Sequence, residues 1–369
     1  MKNAELYIRR CLQLARLGEY YVAPNPMVGA VLVLDGGGNT MRQDGGDAMR
    51  QDGGESIRRE VILGEGWHEQ YGALHAEPNC IRNAEESNPL GIDYKRCTLY
   101  VNLEPCSHYG KTPPCAELII RKGIGRVVIG TLDPNPQVAG RGVKMMQEAG
   151  IEVMVGVLER ECRILNKRFF CLQEKHRPYV ILKWAQTADG YIDVKRTKGN
   201  PLIISTPLIK QLVHQQRAEN MAIMVGTNTI LLDNPRLLTS HWSGRNPIRI
   251  TLDRHGVVPA DSRIFSDEAP TIVYREETSW DYICKDLADQ NIHSVLVEGG
   301  AILLQHILDS GIYDEVHIEV SDQKLCSNYG YLMSKSEQVE GVKAPIYVCK
   351  TQPKVVDNHR IYVEIFGGM

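Results

Sequence analysis

At 369 residues the chain is long enough for two domains with full-sized cores. Its net charge of −3 and pI near 6.4, with basic residues dispersed, argue against a nucleic-acid partner, whose phosphates demand a concentrated basic face. No apolar run reaches membrane-spanning length, the first residues carry no signal-peptide core, and ten scattered cysteines suit a reducing cytoplasm.

In chain order, Asn3 is placed to cap a helix whose apolar face is Leu6, Cys11, Leu14 and Leu17, stopped at Gly18. Pro24-Asn25-Pro26 turns the chain into a buried strand, Val28–Leu34. The hexapeptide Met-Arg-Gln-Asp-Gly-Gly then occurs at 41–46 and again at 49–54. Polar and glycine-rich, it cannot bury a face and reads as a flexible insertion over about 35–58. Order is expected to resume near Arg59, in a strand reaching Gly64.

The richest stretch runs from His75 to Cys115. It holds His75-Ala76-Glu77, a strand-like Cys97–Val101 run, then Pro105-Cys106 and Pro113-Pro114-Cys115. One imidazole and two thiols make a three-ligand zinc set that leaves the fourth tetrahedral place for water, the arrangement that supplies a hydrolytic nucleophile at neutral pH. Glu77, two residues past the histidine, is the candidate proton carrier. H-x-E followed by P-C and a further cysteine is the pattern of zinc deaminases acting on nucleobase-like rings. A structural zinc would want a fourth protein ligand, which His108 could supply. The cysteine spacing is wider than the usual P-C-x-x-C, putting Cys106 at a strand end and Cys115 at a helix start. The widened loop carries His108 and Lys111, both able to meet an anion.

Beyond it, strand 126–130, helix 142–148, strand 151–155 and an amphipathic helix 158–172 alternate, which implies an α/β layered sheet. Residues 173–178, charged and ending in proline, read as a linker between a first domain, 1–172, and a second, 179–369. The second half alternates again: strands at 179–184, 221–225, 248–252, 271–274 and 294–297, helices at 207–217, 280–290 and 301–310, closing strands at 316–320 and 361–366. Glu298-Gly299-Gly300 follows a strand and opens a helix, where glycines let backbone approach a diphosphate. It is not the G-x-G-x-x-G fingerprint, so a Rossmann domain is not indicated.

Together Pro24–Ala30, Gly64–His68, His75-Ala76-Glu77 and the Pro105–Cys115 run resemble the bifunctional riboflavin-biosynthesis deaminase/reductase family. So do Leu182–Gly190, Val225–Thr229, Asp233-Asn234-Pro235 and Val297–Gly300 in the second half. The resemblance implies a cytidine-deaminase-like N-terminal domain and a dihydrofolate-reductase-like C-terminal domain. It implies zinc-dependent deamination of 2,5-diamino-6-ribosylamino-4(3H)-pyrimidinone 5′-phosphate, then NADPH reduction of the ribosyl group to ribityl, in a cytoplasmic homo-oligomer (dimer or tetramer). By motif position, Asn25, His68, His108, Lys111, Asp133 and Asn135 would contact the deaminase substrate. Ala185, Thr227, Thr229, Gly299 and Gly300 would line the cofactor. Lys183, Ser205, Arg217, Asp233, Leu237 and Glu298 would hold the reductase substrate.

One position departs from the family pattern. After Asp-Asn-Pro the family usually reads x-Leu-Thr-x-Arg, with the arginine on phosphate; here Ser240 stands in its place, and Arg236 or Arg245 is the nearby replacement. An active deaminase whose second domain binds substrate but reduces poorly is therefore the alternative. A nucleic-acid-editing deaminase lacks its basic, aromatic-lined surface here, and a zinc-stabilised binding module would need the fourth protein ligand.

Overall fold

The computed structural model describes residues 2–36, 60–109, 113–135, 138–197, 200–325 and 340–366. The repeat insertion lies outside them, as does Lys111. The chain divides into two compact units, Met1–Asn166 and Lys167–Met369.

In the first unit α1 (Lys2–Ala15) precedes β1 (Gly29–Leu34), β2 (Val61–Trp67), α2 (Ala76–Ser87), β3 (Cys97–Leu103), α3 (Cys115–Lys122), β4 (Arg126–Thr131), α4 (Arg141–Glu148), β5 (Glu152–Val155) and α5 (Glu159–Leu165). The sheet order is β2-β1-β3-β4-β5, with β1 antiparallel to both neighbours and β3, β4 and β5 parallel. The central strands carry long apolar runs, β1 throughout and β3 but for Thr98 and Asn102, because both of their faces are covered. Ala30, Leu32, Leu99, Val101, Val127 and Ile129 face a core with α2, α3 and α4. The alternate residues Val31, Val33, Tyr100 and Val128 face α1 and α5.

Three local expectations differ from the structure. The buried stripe of α1 is Tyr7, Ile8, Cys11, Leu14 and Ala15, while Leu6 and Leu17 are 62% and 57% exposed, so only half of the expected face points inward. The helix also starts before Asn3, whose amide donates to Glu60 at 3.0 Å instead of capping. The single helix expected over 158–172 is two, broken at Asn166. That side chain accepts from Met27 N at 2.8 Å and donates to Met27 O at 2.9 Å, so it serves a neighbouring segment rather than its own helix.

The second unit begins there. α6 (Lys167–Lys175) takes in the first half of the expected linker, Gln173–Lys175, and packs Cys171 onto Tyr179, Ile181 and Leu296, so the helix belongs to this unit and not to a joint. Then come β6 (Tyr179–Gln186), β7 (Tyr191–Val194), α7 (Pro207–Glu219), β8 (Ala222–Val225), α8 (Thr227–Asp233), β9 (Ile248–Leu252), β10 (Thr271–Tyr274), α9 (Trp280–Asp289), β11 (Ser294–Gly299), α10 (Ala301–Ser310), β12 (Glu315–Val320), β13 (Gly341–Lys343), β14 (Lys354–Val356) and β15 (His359–Ile365). The main sheet runs β10-β9-β8-β11-β6-β12-β15-β14, its pairings parallel except for the two that β15 makes with β12 and β14. Its principal core sets Val180, Leu182, Met224, Val295 and Val297 against α9 and α10.

Gly64 and Gly66 of β2 let α2 lie directly on the strand. A Cβ on Gly66 would stand 2.3 Å from Cys80 N and 2.8 Å from Ala76 O. Gly66→Ala is therefore expected to push α2 away, costing about 1–3 kcal/mol as overpacking. A lowered melting temperature together with lost ammonia release checks this, because His75 and Glu77 ride on the displaced end.

Candidate active sites

His75 is the N-cap of α2, in extended conformation, and Cys115 is the first residue of α3 behind Pro114. Cys106 lies in the turn after β3. His75 Nδ1 stands 3.6 Å from Cys106 Sγ and 3.4 Å from Cys115 Sγ. A tetrahedral zinc with bonds of roughly 2.0 Å to nitrogen and 2.3 Å to sulfur has an N···S edge of about 3.5 Å, so the donor set fits the ion. Among the described residues these three form the one group able to hold a metal, with all ligand atoms within 4.8 Å of one another. His108 is exposed and outside the group, which leaves the fourth direction to solvent or substrate.

The charges suit the chemistry. Hydrogen bonds from the Cys115 thiol and then His75 hold the Cys106 thiol down to about 4, and Cys115 N donates to Cys106 Sγ at 3.3 Å. The Cys115 thiol is pushed up by that same bond and by burial. Glu77 sits in the first turn of α2, 3% exposed, with its carboxyl against Cys115 and raised by burial. A carboxyl that holds its proton more readily than usual is fitted to receive one and return it.

Beside the metal group, His68 is buried and packs edge-on to His75, ring centroids 5.3 Å apart. Its Nδ1 faces Leu74 O at 2.9 Å, so that nitrogen carries the proton and Nε2 accepts from Asn25 Nδ2 at 3.0 Å. Asn25 thus has its carbonyl oxygen turned away from the ring. Asp133 follows β4, near enough to His108 and Cys106 to feel both, and accepts from Asn135 N at 2.8 Å. Burial pushes its carboxyl up to about 6 from 3.8.

Because the folded value is raised, Asp133 contributes its full stability below the unfolded value, and that contribution is lost as pH rises through about 6. Asp133→Asn, neutral throughout, should melt with the parent in acid and above it near about pH 8. Melting curves at the two pH values check the sign.

In the second unit a cleft of about 480 Å³ lies between the ends of β6 and β11, the α10 start and α7. It gathers Ala185, Thr229, Gly299 and Gly300, expected at the cofactor, with Lys183, Ser205, Arg217, Asp233 and Glu298, expected at the substrate. A Cβ on Gly299 would meet nothing within 4 Å, and one on Gly300 would meet only Thr229 Oγ1 at 3.5 Å. This open cradle at a helix N-terminus fits the diphosphate of a dinucleotide. Two residues fall outside the cleft lining. Thr227 turns its hydroxyl to Leu252 O, and Leu237 is 4% exposed in a core with Ile223, Ile230 and Ile264.

The cations of the cleft are largely committed. Arg217 grips Glu298 through two bonds, 2.8 and 2.6 Å, and donates to Leu238 O at 3.1 Å. Glu319, 2% exposed, accepts from Ser205 Oγ at 2.6 Å and pairs with Lys183 at 3.8 Å and His359 at 2.7 Å. Of the candidate replacements for the missing arginine, Arg236 pairs with Glu268, and neither it nor Arg245 lines the cleft. Lys210 and His214 do line it and were not anticipated; their spacing with Arg217, one helical face of α7, was the available signal.

The family model for the cytidine and deoxycytidylate deaminase zinc-binding region matches residues 1–131, and that for the RibD C-terminal domain matches 178–321. A riboflavin biosynthesis protein RibD of Aquifex aeolicus is 36% identical over 337 residues, covering 85% of this chain and 86% of the relative. The chain belongs to the RibD family. Its Escherichia coli relative is 33% identical over 88% of the chain and 89% of its own length. The solved Thermotoga maritima diaminohydroxyphosphoribosylaminopyrimidine deaminase/5-amino-6-(5-phosphoribosylamino)uracil reductase superposes with a TM-score of 0.77 at 34% identity, covering 98% of this chain and 97% of that one. As a RibD-family protein the chain is a two-domain deaminase and reductase of riboflavin biosynthesis, using zinc and NADPH. Among the described residues no helix is long and apolar enough to cross a membrane.

Proposed function

We propose that the first unit deaminates 2,5-diamino-6-ribosylamino-4(3H)-pyrimidinone 5′-phosphate and that the second reduces the ribosyl group of the product to ribityl. The observation that carries this reading is the His75, Cys106 and Cys115 donor set with Glu77 buried against it. Zinc, when bound there, supplies the Lewis acidity that makes water a nucleophile at neutral pH. Glu77 takes the proton released and passes it to the departing amine. Asn25, oriented by His68, reads the ring edge, while His108, Lys111, Asp133 and Asn135 hold ribose and phosphate.

In the second unit NADPH supplies the hydride, and the chain supplies placement. Gly299 and Gly300 seat the diphosphate with Thr229 and Ala185 beside it, while the Thr227 hydroxyl is taken by Leu252 O. Lys183, Ser205, Arg217, Asp233 and Glu298 bound the substrate side, while Leu237 stays in its apolar core; Arg217 does so as half of an ion pair rather than as a free clamp. Residues 1–166 and 167–369 are taken as the two catalytic domains, which the compactness of each unit supports.

The test is product mass. Incubation with the diaminopyrimidine phosphate should exchange one NH for O without NADPH, and add two hydrogens besides when NADPH is present. An unchanged substrate mass would sink the first assignment, and a product that stops at deamination the second.

The enzyme is further read as a cytoplasmic homo-oligomer, dimer or tetramer. The nine described cysteines, all unpaired, support a reducing compartment. Apolar Ile346, Val348, Val355 and Ile365, each more than half exposed near β14 and β15, support a covered edge. Light scattering that returns a monomer mass would remove the oligomer.

A further inference from the structure

One buried carboxylate in the first unit has no part in the reading above, yet it binds the turn that carries Asp133 and directly precedes the Pro105-Cys106 segment. Glu104 directly follows β3 and is 4% exposed. Its Oε2 accepts from Asp133 N at 3.2 Å and Gly140 N at 3.0 Å. Its Oε1 accepts from Gly142 N at 3.0 Å and Val143 N at 3.3 Å. Four main-chain donors thus converge on one side chain, from the turn after β4 and from the first turn of α4.

A helix cap alone would account for one of these oxygens, since the usual cap comes from the residue preceding the helix and serves its second or third N–H. Here the residue before α4 is Gly140, which has no side chain, and the acceptor comes from a different strand. The second oxygen serves the Asp133 turn. Pro105 and then Cys106 follow Glu104 in the chain, and proline's fixed φ makes the connection short and stiff. The packing is equally tight: a Cβ on Gly142 would stand 2.4 Å from Pro105 O and 3.2 Å from Glu104 Oε1. The start of α4, the Asp133 turn and the Cys106 turn are therefore locked to one another.

We propose that Glu104 is a positioning residue of the deaminase, setting the Asp133–Asn135 loop at a fixed distance from the strand end that bears Cys106. With all four donors satisfied, it acts through the backbone and not on substrate. The proposal rests on the reading that Asp133 and Asn135 contact the substrate.

Glu104→Gln is nearly isosteric but must point an NH2 group at one pair of N–H donors, so two of the four bonds are lost. Gly142→Ala crowds the same junction from the helix side, its Cβ meeting Pro105 O and Glu104 Oε1, while the carboxylate itself is kept. Four quantities are to be measured on the full chain: KM and kcat for ammonia release, zinc content by mass spectrometry, and NADPH turnover on the deaminated product. E104Q and G142A should each raise KM at least about tenfold with a smaller change in kcat. Zinc should stay at the parent level, and reductase turnover should not change, which shows a folded chain. Zinc loss or a fall in kcat at unchanged KM would assign Glu104 to metal holding or to plain stability and overturn the proposal. Asp133→Ala separates it from its premise. If D133A raises KM and E104Q does not, the proposal alone fails; if D133A leaves KM unchanged, the loop reading fails and takes the proposal with it.

Discussion

Replacing Glu77 by alanine is expected to stop ammonia release while leaving zinc in place. The expectation rests on two separate facts about the residue. Its carboxyl is outside the His75, Cys106 and Cys115 donor set, whose atoms already lie at tetrahedral-edge distances, so the ion keeps its protein ligands. Its carboxyl is also buried beside Cys115, with its proton affinity raised by that burial, where water cannot substitute for it. General acid–base groups of this kind are worth about 10²–10⁴ in rate. Both proton transfers pass through Glu77, so the loss should lie toward the upper end of that range. Glu77→Gln should fare no better, because the amide preserves shape and burial but carries no transferable proton. The measurements are kcat for ammonia release and metal content by mass spectrometry. Turnover within about tenfold of the parent would remove Glu77 from its role, and loss of zinc would make it a ligand.

The deaminase site was legible in the sequence because its chemistry is concentrated. His75 and Glu77 are two apart, Cys106 and Cys115 flank one loop, and each sits at an element boundary that Pro105, Pro113 and Pro114 mark. The strand order within each unit was not legible, since burial on both faces leaves central strands such as β1 and β4 mostly apolar, with nothing to rank their neighbours. Helix breaks were lost for a related reason. Asn166 interrupts an apolar period only because Met27, far away in the chain, presents both its N–H and its C=O. Glu104 escaped notice likewise: a carboxylate that serves backbone groups of distant residues leaves no spacing to read. In the second unit most of the anticipated residues do line the cleft, but Lys210 and His214 were not foreseen, nor that Arg217 and Lys183 each face a buried carboxylate. Their pairing determines what a substitution there does.

Arg217→Met is accordingly expected to damage the reductase unit in two distinguishable ways. The pair it breaks is enclosed, its side chains 16% and 11% exposed, with Glu298 gripped at 2.8 and 2.6 Å. Removing one partner strands a buried carboxylate, with only the more distant Lys183 and His214 left to favour its charge, and such losses run to about 3–5 kcal/mol. At about 2–4 °C per kcal/mol for a domain of this size, the unit should melt roughly 10 °C lower. The pH dependence has a definite sign. Arg217 holds the Glu298 carboxyl below its ordinary value of 4.5, so the pair's stabilisation is present above that pH and is lost as pH falls through the folded value. Parent and R217M should therefore differ most near neutrality and converge in acid. NADPH oxidation should fall with the melting temperature, while ammonia release from the other unit persists. The double variant Arg217→Met with Glu298→Met separates stability from binding, because two apolar side chains of similar volume can replace a buried pair at little cost or even a gain. It should recover most of the melting temperature and none of the reduction. Recovery of both would leave the pair as scaffold only, and the substrate phosphate would then have to be held by other groups of the same cleft, such as Lys183, Lys210 and His214.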